Sequence, residues 1–151
     1  MKTEFRPILL AEDNPNDVEL TLEALDQQSL ANKVVVVGDG VEAMAYLRRE
    51  GAYSKREPGD PAVVLLDIKM PRMDGLEVLR AIRSDPTLNR QPVVILTSSR
   101  EEKDLITSYD LGVNAYVVKP VEFDSFISAV KQLGVFWGVI NELPPVRTRQ
   151  D

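Results

Sequence analysis

Four consecutive apolar residues, Val63-Val64-Leu65-Leu66, end on the carboxylate of Asp67 and lead into Ile68-Lys69-Met70-Pro71-Arg72-Met73-Asp74-Gly75. An unbroken apolar run of this kind describes a strand buried on both faces, as found inside parallel sheets. Pro71 disfavours helix for the residue before it. Asp74-Gly75 then supplies a cap and first turn for a helix carrying Leu76, Leu79 and Ile82. The unit reads strand, acidic turn, helix, and it leaves Asp67 at a strand's carboxyl end.

Taken alone, a carboxylate after a strand is ordinary turn chemistry. It gains meaning because three other apolar runs also end in polar residues, of complementary kinds. Ile8-Leu9-Leu10-Ala11 ends in Glu12-Asp13, Val93-Val94-Ile95-Leu96 in Thr97-Ser98, and Ala115-Tyr116-Val117-Val118 in Lys119-Pro120. The first strand is expected over about residues 6–12, and Asn14-Pro15 then gives a cap and first-turn proline to a helix with Val18, Leu22 and Leu25 on one face. Val34-Val35-Val36-Val37 is a further β-branched run, followed by Asp39-Gly40 and a helix with Ala43, Met44 and Leu47 on one face. Residues 51–61, with two Pro and two Gly, read as a long surface loop. Asp85-Pro86 through Gln91-Pro92 breaks the third helix. A fourth helix is expected over about residues 101–111, with Gly112 placed for a left-handed cap. Phe123, Phe126, Ile127, Val130 and Leu133 form the strongest amphipathic stripe, marking a fifth helix. Five strands alternating with five helices imply an α/β fold with a doubly wound parallel sheet and right-handed crossovers. In such a sheet ligands bind outside the strand carboxyl ends.

The 151 residues suit one domain with its own core, and no apolar run approaches the ~20 residues of a membrane helix. The first seven residues lack the apolar core of a secretory signal, and zero cysteines fit a reducing compartment, so a cytoplasmic location is expected. A formal net charge of −6 argues against a nucleic-acid surface and favours a protein partner. The absence of histidine argues against imidazole catalysis and zinc, so any metal here is expected to be hard and oxygen-bound.

At neighbouring strand ends an acidic pair, a third carboxylate, a hydroxyl and an ammonium form one small polar pocket. The carboxylates repel one another unless a cation intervenes. Mg²⁺ suits them, because it binds one or two carboxylates, keeps several waters and accepts phosphate oxygens. Lys119 then balances the charge of an incoming phosphoryl group. A carboxylate nucleophile forming an aspartyl-phosphate is chemistry that these residue types match.

The four ordered motifs, Glu12-Asp13, Asp67 through Gly75, Thr97-Ser98 and Lys119-Pro120, resemble those of the receiver domains of two-component response regulators, over roughly residues 6–135. The resemblance implies a flavodoxin-like, CheY-like receiver fold with strand order 2-1-3-4-5. It implies that Asp67 accepts a phosphoryl group from a sensor histidine kinase. Asp13, Asp67 and the backbone carbonyl of Lys69 would hold Mg²⁺, with Glu12 acting through water, while Thr97 and Lys119 hold the phosphate. Tyr116 would be an aromatic switch moving with Thr97, and Lys119-Pro120 a cis peptide. The surface of the helix over 101–111, the fifth strand and the last helix would carry the signal. No enzyme activity is implied beyond the chain's own phosphorylation and dephosphorylation. Glu12 stands where the family often has Asp. Tyr116 also reads simply as a core aromatic, and Lys69 and Ser99 as solvated side chains.

The receiver is expected over residues 1–135, with an extension over 136–151 and no separate output domain. Its apolar residues Phe136, Trp137, Val139, Ile140 and Leu143 need burial, on their own domain or on a second copy. Phe136, Trp137 and Ile140 are therefore expected at a homodimer contact, with Pro144-Pro145 stopping any continuing helix. The extension and the long loop resemble the stand-alone response regulators paired with bacterial phytochromes, which would make the partner kinase a phytochrome. Three rival functions are weighed against this reading. Asp-nucleophile phosphohydrolases place a second Asp two residues after the first, where Lys69 stands. A flavin or nucleotide module of this topology needs a phosphate loop after the first strand, where Glu12-Asp13 repels phosphate. A receiver-like interaction protein without phosphorylation has no need of both Asp67 and Lys119.

Overall fold

The computed structural model describes residues 6–26, 33–98 and 115–134. Among these, five strands, β1 (Ile8–Ala11), β2 (Val34–Val37), β3 (Val63–Asp67), β4 (Val93–Thr97) and β5 (Tyr116–Val118), form one parallel sheet in the order 2-1-3-4-5. Helices α1 (Pro15–Leu25), α2 (Gly40–Arg48), α3 (Gly75–Ser84) and α4 (Phe123–Gln132) cover it. The expected helix over 101–111, its Gly112 cap, Ser99, and the interface residues Phe136, Trp137 and Ile140 lie outside the described residues. No described helix is long and apolar enough to cross a membrane.

The alternation of strand side chains sorts the core into two layers. Leu9, Ala11, Val64, Leu66 and Ile95 pack against α2 and α3 through Met44, Leu47, Val78, Leu79 and Ile82. Ile8, Leu10, Val63, Leu65 and Leu96 face α1 and α4 through Ala24, Leu25, Phe126 and Val130. Because β1, β3 and β4 are covered on both sides, their sequences are continuous apolar runs rather than alternating ones. The edge position of β2 leaves Val36 39% exposed.

Element boundaries differ slightly from expectation. The first strand spans Ile8–Ala11, yet its ladder reaches further, since Ala62 N–H donates to Pro7 O at 2.8 Å and Glu12 N–H to Val37 O at 3.0 Å. The expected surface loop begins with a single 3₁₀ turn, Gly51–Tyr53. Arg56 then pins it by donating to Tyr46 O at 2.7 Å and stacking 4.3 Å over the Tyr46 ring.

The turn after β3 is clamped from both sides. Asp74 caps α3 in a reciprocal capping box with Glu77, and Gly75 N–H donates to Ile68 O at 2.8 Å. Arg72, in a left-handed conformation with φ 64°, reaches Asp39 Oδ2 with Nε at 2.9 Å and Nη2 at 2.7 Å. Asp39 itself caps α2. Two glycines let these pieces close: a Cβ on Gly75 would overlap the Asp67 carbonyl, and one on Gly40 the Met73 carbonyl. Gly75→Ala is therefore expected to lower stability by roughly 1–3 kcal/mol, as overpacking does. Gly38→Ala, where a Cβ meets nothing nearer than Glu42 Oε1 at 3.9 Å, should change it far less. Denaturant midpoints of the two variants compare them directly.

Candidate functional site

Strand register assembles the site. Ala11 pairs with Leu66, Asp67 with Leu96, and Thr97 with Val118, so each polar residue after or at a strand end comes out on the same edge of the sheet. Glu12 follows β1, Asp67 ends β3, Thr97 ends β4, and Lys119 follows β5. Lys119 N–H donates to Thr97 O at 2.7 Å, tying the last two together. The Lys119-Pro120 bond is cis, as the family resemblance implies.

Carboxylate oxygens of Glu12, Asp13 and Asp67 lie within 4.8 Å of one another. Two of the three are almost fully enclosed, Glu12 at 2% exposure and Asp67 at 5%, while Asp13 stands on the open rim. The ammonium of Lys119 spans the group, 3.1 Å from Glu12 Oε1, 2.9 Å from Asp17 Oδ2 and 3.2 Å from Asp67 Oδ1. All three of its donors are thereby engaged.

Electrostatics express the crowding. Burial, then the neighbouring charge of Glu12, pushes the Asp67 carboxyl from 3.8 up to about 7, against the opposing pull of Lys119. For Lys119 burial disfavours the charge, but the hydrogen bonds it donates to Asp17 and Glu12 and the charge of Asp67 outweigh it and hold the ammonium above its ordinary range. The fit to a divalent cation follows from the donor set: three hard carboxylates whose oxygens already converge, one open to solvent where waters complete a shell. The Thr97 hydroxyl is buried and has no hydrogen-bond partner. Leaving such a group unpaired costs about 1–3 kcal/mol, which a ligand oxygen arriving at the site would recover.

The expected residues thus come together with two qualifications. Lys69 sits in the turn after Asp67 with its side chain exposed. Tyr116 is half-buried and packs against the core layer of α2 and α3. Asp17 was not anticipated. Asn14-Pro15 fixes it in the first turn of α1, where an acid is already explained by the helix dipole, so its bond to Lys119 had no separate signal in the sequence.

A family model described as the response regulator receiver domain matches residues 8–131. Response regulator Rcp1 of Synechocystis sp. is 38% identical over 91% of this chain and 94% of its own. The solved bacteriophytochrome response regulator AtBRR is 61% identical, covers 93% of this chain and 100% of its own, and superposes with a TM-score of 0.88. A solved Mn²⁺-bound form of response regulator Rcp1 is 37% identical over 93% of this chain and 99% of its own, with a TM-score of 0.69. The phosphorylated cyanobacterial phytochrome response regulator RcpA is 46% identical over 88% of this chain and 94% of its own, with a TM-score of 0.70.

A carboxyl whose folded pKa is raised binds a proton that the unfolded chain releases, so its contribution to stability is complete below the ordinary value and is lost as pH rises through about 7. In metal-free buffer the protein is expected to lose roughly 1–2 kcal/mol between pH 5 and 8, less than the full shift because water at the rim screens the charge. Asp67→Asn should flatten that dependence, and a divalent cation should stabilise the native chain more at pH 8 than at pH 6. Denaturation at several pH values, with and without chelator, reads both effects.

Proposed function

Because the chain belongs to the response regulator receiver domain family, whose model spans residues 8–131, we propose that it is a phosphoryl-accepting switch modified on Asp67 by a sensor histidine kinase of the phytochrome class. Supporting the kinase class are the bacteriophytochrome and phytochrome response regulators among its relatives. The observation that carries the acceptor assignment is the placement of Asp67. It is buried, it lies 3.2 Å from Lys119 Nζ, and it shares a cluster with Glu12 and Asp13.

In the proposed reaction an Asp67 carboxylate oxygen attacks the phosphorus of a phosphohistidine, the P–N bond breaks, and the imidazole leaves with its electron pair and takes a proton from solvent. This chain has no histidine, so the imidazole belongs to the partner. Mg²⁺, held by Asp13, Asp67 and the Lys69 carbonyl with Glu12 acting through water, would neutralise carboxylate and phosphoryl charge when bound. Lys119 shifts a donor from the carboxylates to a phosphoryl oxygen. The Thr97 hydroxyl, unpaired before the reaction, donates to another. Receiver-domain response regulators are signalling proteins, and the chemistry proposed here is confined to the chain's own Asp67. The receiver spans 1–135 in this reading, with 136–151 as an extension.

Thr97 and Lys119 adjoin β5, so drawing both toward one phosphoryl group biases the packing of β5, α4 and the segment over 101–111, with Tyr116 following Thr97. That surface is the proposed output, directed at a protein rather than at nucleic acid or membrane. Treatment with acetyl phosphate and Mg²⁺ should add one phosphoryl mass, absent in Asp67→Asn and after chelation, and should change hydrogen exchange in β5 and α4. Label retained in the Asn variant, or found on a Ser or Thr, rules the assignment out.

Self-association through Phe136, Trp137 and Ile140 completes the proposal, motivated by the cluster of apolar residues that they form with Val139 and Leu143 in the terminal segment. Light scattering of the full chain is expected to give twice the chain mass, and removal of 136–151 to halve it. A full chain that stays at single mass, with or without phosphodonor, excludes the dimer.

A further inference from the structure

One ionic contact of the site has no part in the phosphoryl transfer just described. Asp17 Oδ2 is 2.9 Å from Lys119 Nζ, nearer than Glu12 at 3.1 Å or Asp67 at 3.2 Å. Its carboxylate is not among the three whose oxygens converge, which are those of Glu12, Asp13 and Asp67. Its position is set independently, because its amide donates to Asn14 Oδ1 at 3.2 Å within the cap of α1.

We infer that Asp17 is a positioning residue for Lys119, a tether on the α1 side that keeps the ammonium beside Asp67 when a divalent cation occupies the acidic cluster. The inference rests on the proposed function above. Its physical basis is competition for charge. A cation held by Glu12, Asp13 and Asp67 takes up the negative charge of two of Lys119's three partners and repels the ammonium itself. Asp17, outside that set, is the partner that remains. Without it a flexible lysine stem with 15% of its side chain already accessible turns toward solvent, away from the arriving phosphoryl group. A carboxylate acting only through its field has the opposite effect. It repels an anionic phosphodonor, so its removal speeds the reaction.

Asp17→Asn preserves the shape of the side chain at a half-buried position, and circular dichroism checks that the variant folds. Two readouts on the full chain then decide the matter. The first is the reactivity of Lys119 toward an amine-reactive ester, mapped by mass spectrometry with and without Mg²⁺. It is expected to rise about three- to fivefold in the variant when Mg²⁺ is present, the scale of a partly exposed ion pair. The second is the rate of phosphorylation by acetyl phosphate at saturating Mg²⁺, expected to fall by a similar factor and to recover in Asp17→Glu. In a Lys119→Met background the substitution should leave the metal-loaded protein's residual rate unreduced. Unchanged Lys119 reactivity, or a rate that holds or rises in Asp17→Asn, overturns the tether. A native chain that takes no label from acetyl phosphate overturns the acceptor function instead, while the ester reactivity still decides whether Asp17 holds Lys119.

Discussion

Two carboxylates, Glu12 and Asp67, are enclosed side by side at the carboxyl edge of the sheet, with 2% and 5% of their surfaces reached by water. Two bare charges cannot share such a place, and the rest of the site is arranged around their conflict. Lys119 spans them, and the Asp67 carboxyl rises to about 7 despite that bridge. A single ammonium therefore leaves the cluster short of positive charge, with Asp13 at its open side. The same shortage makes the pocket receptive to a divalent cation and underlies the proposed reception of a phosphoryl group.

The enclosure is a product of topology. Strands β1 and β3 are neighbours though not consecutive, so Glu12 and Asp67 meet without a loop having to bring them together. The turn that continues from Asp67 is held by backbone and ionic contacts to α2 and α3, through Gly40, Gly75 and the Arg72–Asp39 pair. Arg72 adopts a left-handed conformation there, a strain that its two hydrogen bonds to Asp39 Oδ2 offset. A rigid floor of this kind fixes the orientation of Asp67, which is what the proposed phosphoryl transfer asks of it.

Much of this is legible in the sequence because local signals and tertiary fate coincide. The continuous apolar runs at Ile8, Val63 and Val93 read as doubly covered strands and are found as such, and their polar successors lead to the site. The caps at Asn14, Asp39 and Asp74 are visible as residue types and are found making the bonds those types predict. What escaped the sequence are contacts between residues far apart in the chain. Asp17 meets Lys119 across 102 positions, and Arg72 meets Asp39 across 33. Each has a sufficient local explanation as a first-turn acid or a turn cation, so nothing in its own neighbourhood points to the distant partner. The exposure of Val36 escaped for a related reason. Four valines look the same on an edge strand as on a central one, and only the strand order separates the cases.

Strand order also bears on where a signal can leave the molecule. β1, β3 and β4 each have a hydrogen-bonded neighbour on both sides, whereas β5 has one, and Val118 on it is 47% exposed. Displacing a central strand breaks two ladders and two core layers together, while displacing β5 disturbs one ladder. Thr97 and Lys119 stand on the two sides of that ladder and are joined by the 2.7 Å bond from Lys119 N–H to Thr97 O. Before any ligand arrives, the Thr97 hydroxyl lacks a partner and the Lys119 ammonium is committed to three carboxylates. In the proposed reaction the Thr97 hydroxyl would gain a bond and the Lys119 ammonium exchange one, and both changes would pull at β5, one of the sheet's two edge strands. A modest difference in hydrogen bonding, about 1–3 kcal/mol for the hydroxyl alone, would shift an equilibrium between two packings of that edge by roughly 5- to 150-fold.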